Sequence, residues 1–367
     1  MPKPSATRPR RAVISGHLIQ LARVSAGITQ ERLAELLGAS RNAVQGWESG
    51  RRPITAVGHG AVMALQHRLV ALGARSDLVA ALSPATEADL LLAALLDNPV
   101  DDEHHPLGWT VLRHGVVEML LWALAGHPPR VAPSAPAAAR RGPAAPRPEL
   151  DPGEDAAAFD ALRNLAERTA GRAEQLLTHR QAVFLASVDP SASPTEWTRP
   201  DPATREHFRR PIGWTPHWAS ARSLAVALAR SGDPEPLAAF IRNADDAWEL
   251  ANLQYWAYWC GDLAERQADD QFMSGTRTPW RGSRLYAHLT TRLDPASSRT
   301  DLNIHTLWSL LQVQPGLPAD DPAATARLLS QTEPLLDSGE LSTRAVGELR
   351  SVRYALMMQG HTAKEQP

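Results

Sequence analysis

At 367 residues the chain has room for two or three domains, and its formal charge of −2 hides an uneven division. Residues 1–75 carry eleven Lys and Arg against three Glu, whereas the rest carry twenty-seven basic residues against thirty-seven acids, the layout of a nucleic-acid-binding module joined to an acidic body. A single cysteine, Cys260, excludes an internal disulfide; with no run near the roughly 18 apolar residues of a membrane span and no secretion signal, a cytoplasmic protein that does not enter membranes is expected.

Residues 1–11 are basic and punctuated by proline. They are expected to form a disordered arm, which either reaches along DNA or is an unstructured leader. A first helix is expected over Ile14–Ala26, with Ile14, Leu18, Leu21 and Ala22 facing inward. The stretch Ile28–Pro53 then spells two short helices joined by a tight turn. Thr29 is an N-cap, partial as a capping box because Arg32 stands where Glu would close it. Leu33, Leu36 and Leu37 form one apolar face, Gly38 supplies the turn, and Ser40 caps a second helix that buries Val44 and Trp47. Gly50 closes that helix, and a fourth follows over Val57–Leu72, with Val62, Leu65, Leu69 and Leu72 on one side.

A second helix lying in the major groove presents its N-terminal residues to base edges. Here those are Ser40, Arg41, Asn42 and, a turn later, Gln45, with Gln30 at the start of the preceding helix. Arg can bond guanine O6 and N7 together, and Asn or Gln can do the same for adenine N6 and N7. Thr29, Ser49, Arg51 and Arg52 are placed for phosphate contacts, which position without specifying. Taken singly, each of these residues is more often a solvated surface group; inside this frame, reading DNA is the better account. Gly46 departs from the pattern, because glycine inside a helix costs about 1 kcal/mol against alanine unless something needs the space.

The order and spacing of Gln30, Leu33-Ala34, Leu37-Gly38, Ser40-Arg41, Val44, Trp47-Glu48, Gly50 and Pro53 resemble the helix-turn-helix of the Cro/C1 repressor (XRE) family. The resemblance spans residues 12–75 and implies a five-helix-type DNA-binding domain. It also implies a homodimer on double-stranded DNA, since one reading helix covers only a few base pairs and paired half-sites supply the rest.

Residues 76–127 are expected to be helical in two or three pieces, serving dimerisation or docking. Val116, Leu120 and Leu124 form one row, with Val117, Leu121 and Trp109 beside it. Asp101, Asp102, Glu103, His104 and His105 invite a metal reading. Contiguous residues seldom converge on one ion, so a polar loop and no metal are expected. His114 and His127 read as ordinary helix-surface or helix-end residues. Residues 128–155 are a Pro/Ala-rich, semi-rigid linker, in which Arg140 and Arg141 are better read as solvated than as phosphate contacts.

Residues 156–360 read as an α-helical domain, open to a helical-hairpin arrangement although no 34-residue repeat emerges. Helices are expected over 156–188, 217–231, 234–268, 280–293, 300–313, 322–336 and 342–358. A stripe of Ile241, Ala244, Trp248, Ala251, Tyr255 and Tyr258, broadened by Trp256, Trp259 and Leu263, is first of all core. The sharper alternative is an aromatic pocket of Trp248, Asn252, Tyr255, Trp256, Trp259, His305 and Trp308 for a small-molecule, peptide or small-protein effector, with Gln254 and Asn303 as further polar groups. Cys260 reads as a buried structural thiol rather than a redox sensor, since no basic residue adjoins it in sequence. The WAYW segment followed by LNIHTLWSLL is also similar to the C-terminal regions of long helix-turn-helix regulators of filamentous actinobacteria, which implies a developmental or antibiotic-production regulator.

The expected protein is therefore all-α: a sequence-specific, dimeric transcriptional regulator whose C-terminal domain senses a ligand or a protein. The alternative is a protein–protein interaction module, antitoxin-like or a scaffold, that uses the helix-turn-helix as a tether. No phosphate-binding glycine loop, nucleophile elbow or zinc-ligand spacing marks an enzyme, and no cofactor is expected.

Overall fold

The computed structural model describes residues 12–96, 101–132, 145–189, 191–197, 199–275 and 280–362. The arm 1–11, Arg140, Arg141 and residues 133–144 of the linker lie outside the described residues. The described chain is all-α, as expected, with no strand among the described residues. None of its helices is long and apolar enough to cross a membrane. It divides into two compact units, one of Met1–Leu107 with His114–Asn164, the other of Gly108–Arg113 with Leu165–Pro367.

The first unit contains α1 (Val13–Ser25), α2 (Gln30–Leu37), α3 (Arg41–Glu48), α4 (His59–Ala71), α5 (Ser76–Ala80), α6 (Leu82–Leu96), α7 (His114–Ala125) and most of α8 (Glu154–Thr169). Helix α1 is its centre. Beyond the expected Ile14, Leu18, Leu21 and Ala22, it also buries Val13, Ser15, Gly16, His17 and Ile19, because it packs against α3, α5, α6 and α7. So many neighbours leave almost no solvent face. Two contacts have no counterpart in a simple amphipathic reading. Gly16 lies where α1 crosses the end of α3, so close that a Cβ there would sit 2.3 Å from the Trp47 carbonyl oxygen. And α1 has no side-chain cap of its own: Asp89 of α6 reaches across 75 residues to accept the backbone N–H groups of Ile14 (2.9 Å) and Ser15 (3.0 Å). A buried helix start requires such a partner for its orphan donors.

His17 faces Trp122 edge-on, with ring centroids 4.9 Å apart. Burial lowers its pKa to about 4, so the folded state holds it neutral where an exposed histidine would charge. Its contribution to stability is present above pH 6.5 and is lost as pH falls through about 4, a difference of roughly 3 kcal/mol. Burial raises the Asp89 pKa to about 6 against the pull of the Ser15 and Ile14 donors, which contributes with the opposite sign over much of the same window. Comparing wild type with His17→Leu isolates the histidine. The melting temperature of wild type should drop further between pH 7 and pH 4 than that of the variant. Parallel pH profiles would show that His17 titrates normally.

Helix α7 turns its row of Val116, Val117, Leu120 and Leu124 inward, where it packs against α6 and α1. Trp109 does not belong to that row. It lies in the non-helical segment before α7, is 56% exposed, and falls in the second unit.

The second unit contains the end of α8, α9 (Leu176–Ala186), α10 (Pro194–Trp197), α11 (Pro202–Arg209), α12 (Trp218–Arg230), α13 (Glu235–Arg242), α14 (Asp246–Cys260), α15 (Ser283–Leu289), α16 (Thr300–Val313), α17 (Leu317–Asp320), α18 (Pro322–Asp337) and α19 (Thr343–Thr362). Two long expected helices are broken. The helix over 156–188 ends at Thr169, and Gly171 at φ 74° turns the chain before α9 begins. The one over 234–268 splits because Asp245 accepts the Trp248 N–H and so starts α14 afresh, while Gly261 in the left-handed region ends it. The aromatic stripe thus belongs to α14, with Ile241 on α13 and Ala244 in the break. Helix α12 is buried nearly all round by α9, α11 and α13; α14 packs on α15 and α16, and α19 on α16 and α18. Segment 108–113 is stitched into this unit. The Tyr258 hydroxyl donates to the Val111 carbonyl (2.7 Å), the Leu112 N–H donates to Gln181 Oε1 (2.6 Å), and the Arg113 guanidinium caps three carbonyls from Leu263 to Glu265.

Candidate nucleic-acid interface

Local chemistry fixes the second helix of the pair. Thr29 Oγ1 accepts the Arg32 N–H (3.1 Å), and Gly38 ends α2 at φ 62°. Ser40 Oγ then accepts the Ala43 N–H (3.1 Å) to start α3. Val44 and Trp47 are buried beneath α3, which leaves Ser40, Arg41, Asn42 and Gln45 together on its exposed side. Arg51 and Arg52 are exposed immediately beyond the helix, and Ser49 is half-buried between them and α3.

Besides the capping Thr29 and Ser40, other side chains expected to touch DNA also have partners in the protein. The Arg41 guanidinium lies 2.7 Å from the Glu31 carboxylate, both exposed. Glu31 has a lowered pKa, chiefly through its own backbone N–H and with help from Arg41. Gln30 Nε2 donates to Glu48 (2.7 Å), so its amide oxygen remains to meet a ligand. Arg51 Nε donates to Ser49 Oγ (3.0 Å). Gly46 has a use: the aliphatic stem of Arg52 lies against it, and a Cβ there would stand 3.1 Å from Arg52 Cδ. The glycine thereby lets Arg52 fold back along α3.

Glu48, outside the expected contact set, ties α1 and α2 to the end of α3 beside the candidate interface. Its side chain is only 4% exposed; it takes two hydrogen bonds from Arg23 of α1 and one from Gln30 of α2. Arg23 also donates to the Ile28 carbonyl (2.8 Å), tying the turn between α1 and α2 to the same ion pair. A carboxylate near a helix C-terminus opposes the helix dipole, so Glu48 needs this cation. The signal in the sequence was an acid directly after the buried Trp47.

The pocket residues expected in the C-terminal half fall into two groups. Trp248, Asn252, His305 and Trp308 meet between α14 and α16. The His305 ring is 5.5 Å from Trp248 and 6.1 Å from Trp308, and Asn252 Nδ2 donates to Thr306 Oγ1 (3.0 Å). His305 is fully buried between two carboxylates, with Nδ1 2.8 Å from Glu348 and Nε2 2.8 Å from Glu249, the latter out of hydrogen-bond alignment. Burial works to lower the His305 pKa, and the two glutamates outweigh it and raise it. Gln254 donates to the Met273 and Gly275 carbonyls and Asn303 to that of Arg292, so both are engaged in the fold. Tyr255, Trp256 and Trp259 form the second group, with Tyr255 and Trp259 stacked at 6.1 Å.

Elsewhere, the polar run after α6 forms part of the connection to α7. The short 3₁₀ turn Asp102–His104 curls the chain, so that Asp101, Glu103 and His104, all exposed, bring ligand atoms within 4.8 Å of one another. Cys260 is half-buried.

Residues 19–56, from the middle of α1 through the turn after α3, match the helix-turn-helix family model. No curated protein matches the chain, and no solved structure matches it. The first unit thus carries a helix-turn-helix, the element with which DNA-binding regulators read the duplex. It is a helix-turn-helix of the Cro/C1 (XRE) type.

Proposed function

We propose that the protein is a sequence-specific transcriptional regulator that binds DNA as a homodimer on a two-fold site, with the second unit sensing a small molecule, a peptide or a small protein. The observation that carries this reading is the shared exposed side of α3. Ser40, Arg41, Asn42 and Gln45 stand out from a helix whose opposite side is anchored by Val44 and Trp47. Arg51 and Arg52 beside it supply phosphate contacts. Control of DNA binding then follows if an effector favours one arrangement of the two readers over another.

Binding of the purified protein to fragmented genomic DNA tests the reading. A short, roughly symmetric site should be recovered, and Arg41→Ala or Asn42→Ala should relax preference at one position of each half-site by about 1–3 kcal/mol. Arg52→Ala should instead weaken all sequences alike and flatten the dependence on salt. Weak, salt-sensitive binding without a preferred site would overturn the regulator reading in favour of a tether.

A further inference from the structure

The second unit buries arginine in two distinct ways. Arg180 of α9 is 4% exposed and is held through two of its three guanidinium nitrogens by Asp270, with Nε 2.6 Å from the carboxylate. That is how a buried guanidinium is normally accommodated, because an uncompensated charge removed from water costs several kcal/mol. Arg222 of α12 is 5% exposed and has no acid partner among the described residues. Its Cζ lies 4.1 Å from the Tyr255 ring centroid and 5.0 Å from that of Trp256, and its Nε has no hydrogen-bond partner.

Arg230, two turns further along α12, repeats the situation. Its guanidinium sits 5.0 Å from the Phe184 ring, and its hydrogen-bond partner is the neutral Ser187 hydroxyl at 2.9 Å. Rings link the two arginines: Tyr255 stacks on Trp259, and Trp259 meets Phe184 edge-on at 5.8 Å. Arg299, at the start of α16, also has no acid partner among the described residues. Burial, then the nearby Arg299, lowers the pKa of Arg230 to about 9; burial first, with Arg180 and Arg299 adding to it, also pulls Arg222 down. Aromatic faces offset only part of such a cost. Arg230, Arg299 and Trp259 are half-buried, which leaves this cluster a way to solvent.

We infer that Arg222, Arg230 and Arg299, with Tyr255 and Trp259, form a site for a flat organic oxyanion, a ligand carrying phosphate or carboxylate groups on a ring. The charge would supply the counter-ion that Asp270 supplies to Arg180, and the ring would lie beside the half-buried Trp259 indole. This names the ligand class for the sensor proposed above and rests on that reading.

The test is calorimetric titration of the full chain at constant ionic strength with three probes: inorganic phosphate, a nucleoside triphosphate and an aromatic dicarboxylate. One of the two ring-bearing probes is expected to bind at one site per chain, more tightly than inorganic phosphate. Arg230→Gln and Arg299→Gln should each weaken it roughly ten- to a hundredfold, while the exposed Arg209→Gln should not. Arg222→Met should abolish binding, yet melt no lower than wild type without ligand, since it removes a buried charge that lacks a partner. Binding of none of the probes, or equal binding by all variants, overturns the site. A gel-shift measurement with the same probe separates the two readings: if the probe binds through Arg222 but leaves DNA affinity unchanged, the site stands and the sensor reading fails.

Discussion

Gly16→Ala is expected to cost the first unit at least about 2 kcal/mol and to abolish specific DNA binding. Overpacking a core costs about 1–3 kcal/mol and at times more. The added methyl would meet backbone, with the Trp47 carbonyl at 2.3 Å and the Glu48 carbonyl and Gly50 nitrogen both at 3.0 Å. None of these can rotate away, so α1 and the end of α3 must separate. The roughly 1 kcal/mol that alanine gains over glycine as a helix former does not offset this. Because α3 carries Arg41, Asn42 and Gln45, a shift at its end also misplaces the groups we propose for base contact. Gly46→Ala, on the same helix, provides the contrast. Its methyl would meet only the flexible stem of Arg52, so stability should hold or rise slightly while Arg52 is displaced. Urea unfolding and DNA titration of both variants decide the matter. Equal stability would show that the close approach of α1 and α3 is not present in solution.

The second large effect is expected at Glu48. Glu48→Ala leaves Arg23, whose side chain is 11% exposed, with its charge uncompensated and leaves the Gln30 amide without its acceptor. Removing one partner of a buried ion pair costs about 3–5 kcal/mol, mostly for the charge left behind. Replacing both partners, Arg23→Met with Glu48→Leu, should recover much of that loss, because no unpaired ion then remains. A double variant as unstable as Glu48→Ala would mean that the pair contributes through packing alone. Even if stability returns, DNA affinity should stay reduced, since Gln30 would have lost the group that orients it.

Local rules made the helix-turn-helix legible. Ser40 as cap, Gly38 at positive φ and the Val44–Trp47 spacing are each statements about neighbours within a few residues, and the structure shows each of them. The all-helical character of the C-terminal half was legible for the same reason, and helix 300–313 keeps its expected ends because its apolar pattern is uninterrupted. What stayed hidden depends on contacts distant in sequence. Nothing near Gly16 announces that a carbonyl of α3 will press on it, and nothing near Asp89 announces a helix start 75 residues earlier. The break before α14 was readable in Asp245, yet the apolar pattern ran through it. Trp109 followed the opposite course, because its aromatic side chain suggested a helix face that the chain does not form there. The arginines of α12 were legible in principle: Arg222 interrupts a run of small and apolar residues, and charge at an inward position demands a partner.

The hydrogen bonds from Ile14 and Ser15 to Asp89 bear on how this reader can be inherited. Here the first helix borrows its cap from α6, beyond the last residue of the helix-turn-helix itself. A gene fragment ending at residue 75 would encode the side chains proposed for base contact and still lack the Asp89 carboxylate that completes the scaffold beneath them. Recombination that preserves the reader must therefore carry α6 along, so the unit of transfer is larger than the unit of recognition.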